Sequence, residues 1–262
     1  MRKFKSGNKI GVYGALTKQP CGFTLVEMAM VLTIVGLLLA GLLPMISGQV
    51  EQRRLNDTRQ QLSEIRDALI GYAVINGRLP CPAAPATTVG TESFAAGHNA
   101  SDGICSNFYN GYIPAATLGL SGMNENGLVV DSWDNPIRYA VTLWNHALTK
   151  TDGMKTVGIS GLNPGSFSYL LVCSTSIGID TSSPPSCGAT GKSLTPEPGV
   201  PIVIFSTGSN GISATSGDEL HNLSGTRVFI SHDQAQNGYD DIVIWLSSNT
   251  LINRMVAAGK LP

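Results

Sequence analysis

Glu27 is the only ionisable residue within residues 23–46, a run of 24 residues near the N-terminus. A helix of about 20 mostly apolar residues crosses the hydrocarbon core of a bilayer, so this run predicts one transmembrane helix. A carboxylate within such a helix costs roughly 2.5–3.5 kcal/mol at the centre and less near an end, and it indicates a function. The position of Glu27 therefore predicts a cationic partner.

The α-amine of a neighbouring molecule is the cation that best fits Glu27. If the chain is cut between Gly22 and Phe23, the new amine of Phe23 is positively charged, with a reference pKa of about 8. It lies about one turn from Glu27 of its own helix and points along the helix axis, which is a poor geometry for pairing. An amine from an adjacent subunit can pair with Glu27. Glu27 is therefore predicted to determine assembly.

A secretory signal peptide and a plain membrane anchor are alternative interpretations of the N-terminal region. A signal peptide has a shorter apolar region, of about 7–15 residues, and a small-residue cleavage site, which does not follow cleanly here. A plain anchor leaves Glu27 unexplained. Because all the basic residues of the region lie within residues 1–22, the positive-inside rule places that segment in the cytoplasm and the chain after Ser47 outside.

The stretch Gly22-Phe23-Thr24-Leu25-Val26-Glu27, between a basic segment and an apolar helix, resembles the cleavage and methylation signal of type IV pilins and type II secretion pseudopilins. The resemblance implies cleavage after Gly22 by a prepilin peptidase, N-methylation of Phe23 and contact of Glu27 with a neighbour's amine. It also implies an assembly ATPase and a platform protein in the inner membrane. Pro44 lies where these helices often carry a proline that bends or locally melts the helix, and an interior proline removes one helical hydrogen bond.

Charge argues against nucleic acid as a partner. The chain has 17 basic and 18 acidic residues, and residues 1–22 contain five of the bases and no acid. The other 240 residues have 12 bases and 18 acids, a formal charge of −6, with no basic cluster.

Cysteine usage indicates an oxidising compartment. Removal of residues 1–22 takes Cys21 away and leaves four cysteines, which allow three disulfide connectivities. The pairs Cys81–Cys105 and Cys173–Cys187 are favoured because each closes a short loop. Zinc binding is disfavoured, since the sequence has no CxxC spacing.

A helical pattern continues beyond the apolar run. Residues with a spacing of three and four form one stripe, and charged residues lie off it. The stripe consists of Leu55, Thr58, Leu62, Ile65, Leu69 and Tyr72. The pattern predicts a helix from Phe23 to about residue 76, ended by Asn76-Gly77 and Pro80. Fewer than three clean heptads favour packing on the protein's own sheet over a two-stranded coiled coil.

Six β-branched and aromatic runs, separated by turn residues, predict a mainly antiparallel sheet of four to six strands. They are GLVVDSW, PIRYAVTLW, SYLLVCSTS, PIVIFSTG, TRVFISH and DDIVIWLS. An irregular connection is predicted over residues 80–127, and a capped helix at SNTLINRMVAAGK. The predicted fold is α+β and pilin-like, with a long N-terminal helix, membrane-spanning in its first half, packed on the sheet.

Two stretches extend the family resemblance into the region after the helix. Residues 131–139, DSWDNPIRY, are similar to the D-x-W-G-N-P-x-x-Y element of the major pseudopilin, with Asp134 replacing the glycine. Residues 205–220 are similar to a Gly-rich loop of that family, which binds calcium in some members. Asp218 and Glu219 are the candidate calcium ligands, with oxygens from Ser209 and Asn210.

Asp240 and Asp241 could join such a calcium site if their strand lies beside the loop. The favoured interpretation is instead that these two residues protect the edge of the sheet from pairing with other chains. Alternatively, Asp218 and Glu219 simply face solvent.

Catalysis is not expected. His232-Asp233 and several serines suggest a hydrolase group, but the sequence has no G-x-S-x-G, HExxH or P-loop motif. The three tryptophans, Trp133, Trp144 and Trp245, are expected to pack in the core.

Four segments are predicted: a basic leader of residues 1–22 that is removed, a transmembrane part over residues 23–46, an amphipathic continuation over residues 47–76 and a periplasmic head over residues 77–262. The expected function is that of a structural pilus or pseudopilus subunit, held in membrane lipid as a single-pass inner-membrane protein before assembly with other subunits. The alternative is a minor tip or initiator subunit whose head is a binding module.

Overall fold

The computed structural model divides the chain into two compact units, Met1–Val50 and Glu51–Pro262. The structure describes residues 22–84, 90–162, 169–182, 184–196, 199–213, 217–233 and 238–261. For residues 40–47 it describes the backbone only. The predicted leader lies almost entirely outside the described residues, and so does the side chain of Pro44.

The long N-terminal helix is confirmed as α1, Leu25–Asn76. Thr24 caps its start, because its Oγ1 accepts the backbone N–H of Glu27 at 3.2 Å. The helix ends at Gly77, whose φ of 67° is the left-handed conformation typical of a helix C-terminus.

Among the described residues, no helix has both the length and the apolar character needed to cross a membrane.

The outer part of α1 packs on the sheet of its own unit, as predicted. Thr58, Leu62, Ile65 and Leu69 are all at most 2% exposed, so the predicted stripe is the buried face. Their apolar members share one core with inward-facing side chains of the sheet such as Ile204. Because the stripe is covered within the chain, it is not available for a coiled coil.

The central sheet has four antiparallel strands in the order β1-β2-β4-β6. Their bounds are β1 Gly111–Tyr112, β2 Arg138–Val141, β4 Ile202–Ser206 and β6 Ile242–Leu246. One face of the sheet packs against α1, and the other face, which includes Val203 and Phe205, packs against a second layer containing Val172 and Phe229. The sheet is therefore covered on both faces.

The second layer is a pair of parallel strands, β3 Leu171–Cys173 and β5 Val228–Ile230. Five of the six predicted strand runs contain a strand, and the fold is α+β with a mainly antiparallel sheet. The run GLVVDSW, residues 127–133, was predicted as a strand but forms only isolated bridges at Val129 and Val130 before a turn.

Four short helices and one 3-10 turn complete the described fold. They are α2 Ala115–Leu118, the 3-10 turn Trp144–His146, α3 Gly153–Leu162, α4 Gly217–Asn222 and α5 Ser248–Ala257. The predicted C-terminal helix is confirmed as α5, where Ser247 Oγ accepts the N–H of Thr250.

The chain is tightly fixed where it leaves α1. Arg78 is 7% exposed and forms a bidentate ion pair with Glu92, at 2.6 and 2.7 Å. A carboxylate oxygen of Glu92 also accepts the backbone N–H of Cys81, and Leu79 N–H donates to the carbonyl of Leu148. This junction joins the end of α1 to the core of the head.

Candidate functional site

The first turns of α1 carry apolar side chains that face solvent. Phe23 is 76% exposed, Leu25 is 88% exposed, and all described side chains from residue 22 to residue 39 are exposed. An apolar surface of this extent marks a site of contact with protein or membrane. The described part of this unit offers nothing that covers it.

Glu27 lies in the first turn of α1 and is exposed. A carboxylate is favoured there, because the unpaired N–H groups at a helix N-terminus carry partial positive charge. Thr24 and Glu27 have the T-x-x-E spacing of a capping box, a signal in the sequence that was missed. The structure shows the Thr24 half of this motif.

The helix start, its cap and much of its exposed apolar surface lie in a segment that matches a known sequence motif. Residues 18–43 match the model of the prokaryotic N-terminal methylation motif. The chain carries the prepilin-type cleavage and methylation signal of type IV pilins and pseudopilins. Neither the curated proteins nor the solved structures give a match to this chain.

The prepilin signal accounts for the N-terminal residues, and the head carries two further features singled out by the sequence. The first is the cysteines: disulfides join Cys81 to Cys105 and Cys173 to Cys187, with Cα–Cα distances of 5.3 and 5.4 Å. These are the two pairings that loop closure favours. All four of these cysteines are buried.

The second feature is the pair of stretches that resemble the major pseudopilin, which the structure brings together. Asp131 Oδ1 accepts the N–H groups of Trp133 and Asn135, both at 2.9 Å, and Oδ2 accepts the hydroxyl of Ser206 at 2.5 Å. Asn135 Nδ2 donates to the carbonyl of Gly208. Burial raises the pKa of Asp131, and these hydrogen bonds oppose that rise.

Asp134 occupies the glycine position of the family element with a φ of 65°. This left-handed conformation explains why a glycine fits there, and aspartate tolerates it better than most residues.

The structure separates the two candidate calcium ligands. Asp218 Oδ1 accepts the N–H of Ser176 at 2.7 Å, and Oδ2 contacts Nε2 of His232 at 3.1 Å. Burial opposes ionisation of Asp218, but the hydrogen bonds from Ser176 and His232 leave its pKa below the ordinary value. Asp218 is thus engaged away from Glu219.

Glu219 instead groups with Asp240 and Asp241, and carboxylate oxygens of the three lie within 4.8 Å of one another. Burial raises the pKa of Asp241 to about 7 and also raises that of Asp240. Asp241 is 4% exposed and accepts Asn222 Nδ2. The edge-protecting interpretation is therefore wrong for Asp241, because its side chain is turned inward.

The residues of this acidic group fit an oxygen-seeking cation. Calcium takes six to eight oxygen ligands, and carboxylates are its usual charged ones. Within the described chain, the buried Oδ1 of Asn210 has no hydrogen-bond partner, although Nδ2 of the same residue donates to Glu219. Asn210 can thus add a carbonyl oxygen beside the three carboxylates.

The described contacts of His232 are with a carbonyl, a carboxylate and an aromatic ring. Its Nδ1 contacts the carbonyl of Asp233 and its ring lies against Tyr239. The carboxylate that it meets, on Asp218, also accepts the backbone N–H of Ser176.

The three tryptophans pack as predicted. Trp133 and Trp144 lie against the core that contains α1, and Trp245 lies against the core of the second layer.

Proposed function

We propose that this chain is a structural subunit of a type IV pilus or a type II secretion pseudopilus, without enzymatic activity of its own. The observation that carries the proposal is the methylation signal at the start of a helix whose described apolar side chains are exposed. Such a helix needs a cover of lipid or of other helices.

Before assembly, residues 23–46 span the inner membrane, with residues 1–22 in the cytoplasm and the head in the periplasm. The support for this is the sequence: one ionisable residue in 24, with every base of the N-terminal region ahead of the run. A prepilin peptidase cuts after Gly22, and Phe23 is N-methylated. Pro44 locally weakens the helix.

In the filament, Glu27 pairs with the α-amine of Phe23 from the next subunit. The two groups are each costly to bury alone, and pairing them fixes the axial register of adjacent helices. Moving the helices out of lipid requires work, which an assembly ATPase and an inner-membrane platform protein supply.

The proposed role of Glu27 is tested by Glu27→Gln. Glutamine keeps the hydrogen-bonding capacity of a capping-box residue but loses the charge. The processed variant should enter the membrane and fail to form filaments. Normal filament growth would refute the role of Glu27 in assembly.

Processing is tested separately by the intact mass of the chain, produced with and without the peptidase. The expected change is loss of residues 1–22 and gain of one methyl group. An unprocessed mature chain would refute the assignment as a pilus or pseudopilus subunit.

A minor subunit at the filament tip, acting as a binding module, is the second candidate. The size of the head, residues 77–262, favours this candidate, because a head of this size is large for a subunit that repeats along a filament. The abundance of the chain in sheared filaments distinguishes the candidates: many copies along the fibre for a major subunit, few for a tip subunit.

We also propose calcium binding by Glu219, Asp240 and Asp241, in place of a site built on Asp218. The support is the closeness of the three carboxylates and the unpartnered Oδ1 of Asn210. Calcium should raise the melting temperature of the protein, and Asp241→Asn should abolish that rise. Asp57→Asn, on the exposed face of α1, is the matched control.

A further inference from the structure

A surface groove runs between the outer part of α1 and α5. Two adjoining depressions of about 500 and 310 Å³ share the lining residues Asp67, Ile70 and Arg254. Trp245, at the edge of the sheet, also lines the groove and is half-buried. The groove therefore has an apolar floor with charged walls.

One charge of the groove has no counterpart. Asp67 lies 3.7 Å from Arg66, which neutralises it. Arg254 is exposed and, among the described residues, forms no ion pair. The groove is thus complementary to an occupant with an apolar side chain and a carboxylate.

The loop closed by Cys173–Cys187 presents these two groups. Ile177 is 68% exposed and Asp180 is also exposed. Hydrogen bonds from Ser182 hold the pKa of Asp180 below its usual value, so its carboxylate is charged at neutral pH. The disulfide limits the motion of the loop, which reduces the entropic cost of docking it.

The groove and residues 177–180 lie at opposite ends of β6. Ser176 is held against Asp218 at 2.7 Å, and the adjacent Glu219 accepts the N–H of Asp240, just before β6 begins. Trp245, by contrast, is near the end of the strand. A strand of this length spans roughly 16 Å, so the two surfaces do not meet within one molecule.

We propose that the groove receives residues 177–180 of a second copy of this chain. Asp180 of one copy pairs with Arg254 of the other, and Ile177 covers Ile70 on the floor of the groove. In a filament each copy is related to the next by the same rotation and translation, so this contact is heterologous and repeats from copy to copy. This inference rests on the proposed function, in which the chain assembles into a filament. It adds a specific contact between the heads of neighbouring copies in that filament.

A charge exchange tests the contact in cells that assemble filaments. Arg254→Glu and Asp180→Arg should each lower the amount of the full chain in sheared filaments by about fivefold or more, because like charges then face each other. The double variant should return to within about twofold of the unaltered chain, because the pair is restored in reverse. Lys155→Glu and Glu125→Arg make the same charge changes at other exposed positions and should have no effect.

The outcomes separate this inference from the proposed function. If the unaltered chain forms filaments but the single variants match it, or the double variant stays as low as the singles, the head contact is refuted and the filament role stands. If the unaltered chain forms no filaments, both are refuted. Equal melting temperatures of all variants show that folding is not the cause of a loss.

Discussion

The start of α1 and the second unit, Glu51–Pro262, differ in how far their characteristic side chains are exposed to solvent. Around Glu27 the described side chains are exposed, and the apolar ones have no cover within the described part of their unit. In the second unit, Glu51–Pro262, Leu62 is fully buried and Asp131 accepts three hydrogen bonds. We therefore propose that residues of the first region act between molecules, whereas those of the second stabilise one molecule.

The largest expected effect is that of replacing Glu27 at the start of α1. Glu27→Gln should reduce the filament content of sheared fractions by about 100-fold or more, because an unpaired amine is left in an apolar bundle. Glu64→Gln, on the exposed side of the outer part of α1, is the matched control and should assemble normally. Unfolding of the head should be the same in both variants, measured by urea denaturation in detergent. A drop in head stability for Glu27→Gln would contradict the separation.

Truncating a leucine should lower the free energy of unfolding in the second unit but not at the start of α1. Leu62→Ala should lower the free energy of unfolding by about 3–5 kcal/mol, because it removes a fully buried side chain and leaves a cavity. Leu32→Ala, at a position that is 67% exposed, should leave the head's unfolding unchanged. Equal losses for both variants would show that the start of α1 is packed on the head.

Loss of a disulfide should have a slightly smaller effect on the head. Replacing Cys173 and Cys187 together by alanine should cost about 2–4 kcal/mol of unfolding free energy, mainly because the unfolded chain gains freedom. The comparison is made by urea denaturation under non-reducing conditions. A reductant should remove the difference between the variant and the unaltered chain at this bridge.

The smallest expected effect is a pH dependence at Asp241. Burial raises its pKa from 3.8 to about 7, so the folded state holds a proton that the unfolded state has released. Without calcium, stability should therefore fall as the pH rises from about 4 to about 7, by roughly a few kcal/mol at most. Asp241→Asn should flatten this slope, whereas Asp57→Asn should keep it. An unchanged slope in Asp241→Asn would assign the pH dependence to another group.

Most of α1 could be predicted from the sequence because its signals are local. The stripe through Leu62 and Leu69 has the helical period, and Gly77 marks the end. The Thr24 cap was equally local and visible in the T-x-x-E spacing.

The elements that were missed depend on contacts distant in sequence. β1 has two residues and exists because Gly111 and Tyr112 pair with β2. The parallel pairing of β3 with β5 joins segments far apart in the chain. The predicted strand at residues 127–133 fails for a local reason instead, because the Asp131 side chain accepts the N–H groups of Trp133 and Asn135 and turns the backbone, in competition with a sheet ladder.

The acidic group shows the same limit at a site. Asp218 and Glu219 are neighbours in sequence, but adjacent helical residues point in different directions, so one meets His232 and the other meets Asp240. Their spacing predicts a pair, and the fold separates it.

The junction at Arg78 has a mechanical consequence. In an assembled fibre, tension along α1 reaches the core first through the buried stripe of the helix and then through the few residues after Gly77. There the load meets the Arg78–Glu92 ion pair and then the covalent bridge from Cys81 to Cys105. To detach the residues that follow α1, the pull must break two charged hydrogen bonds together, and the disulfide then limits how far the chain can extend.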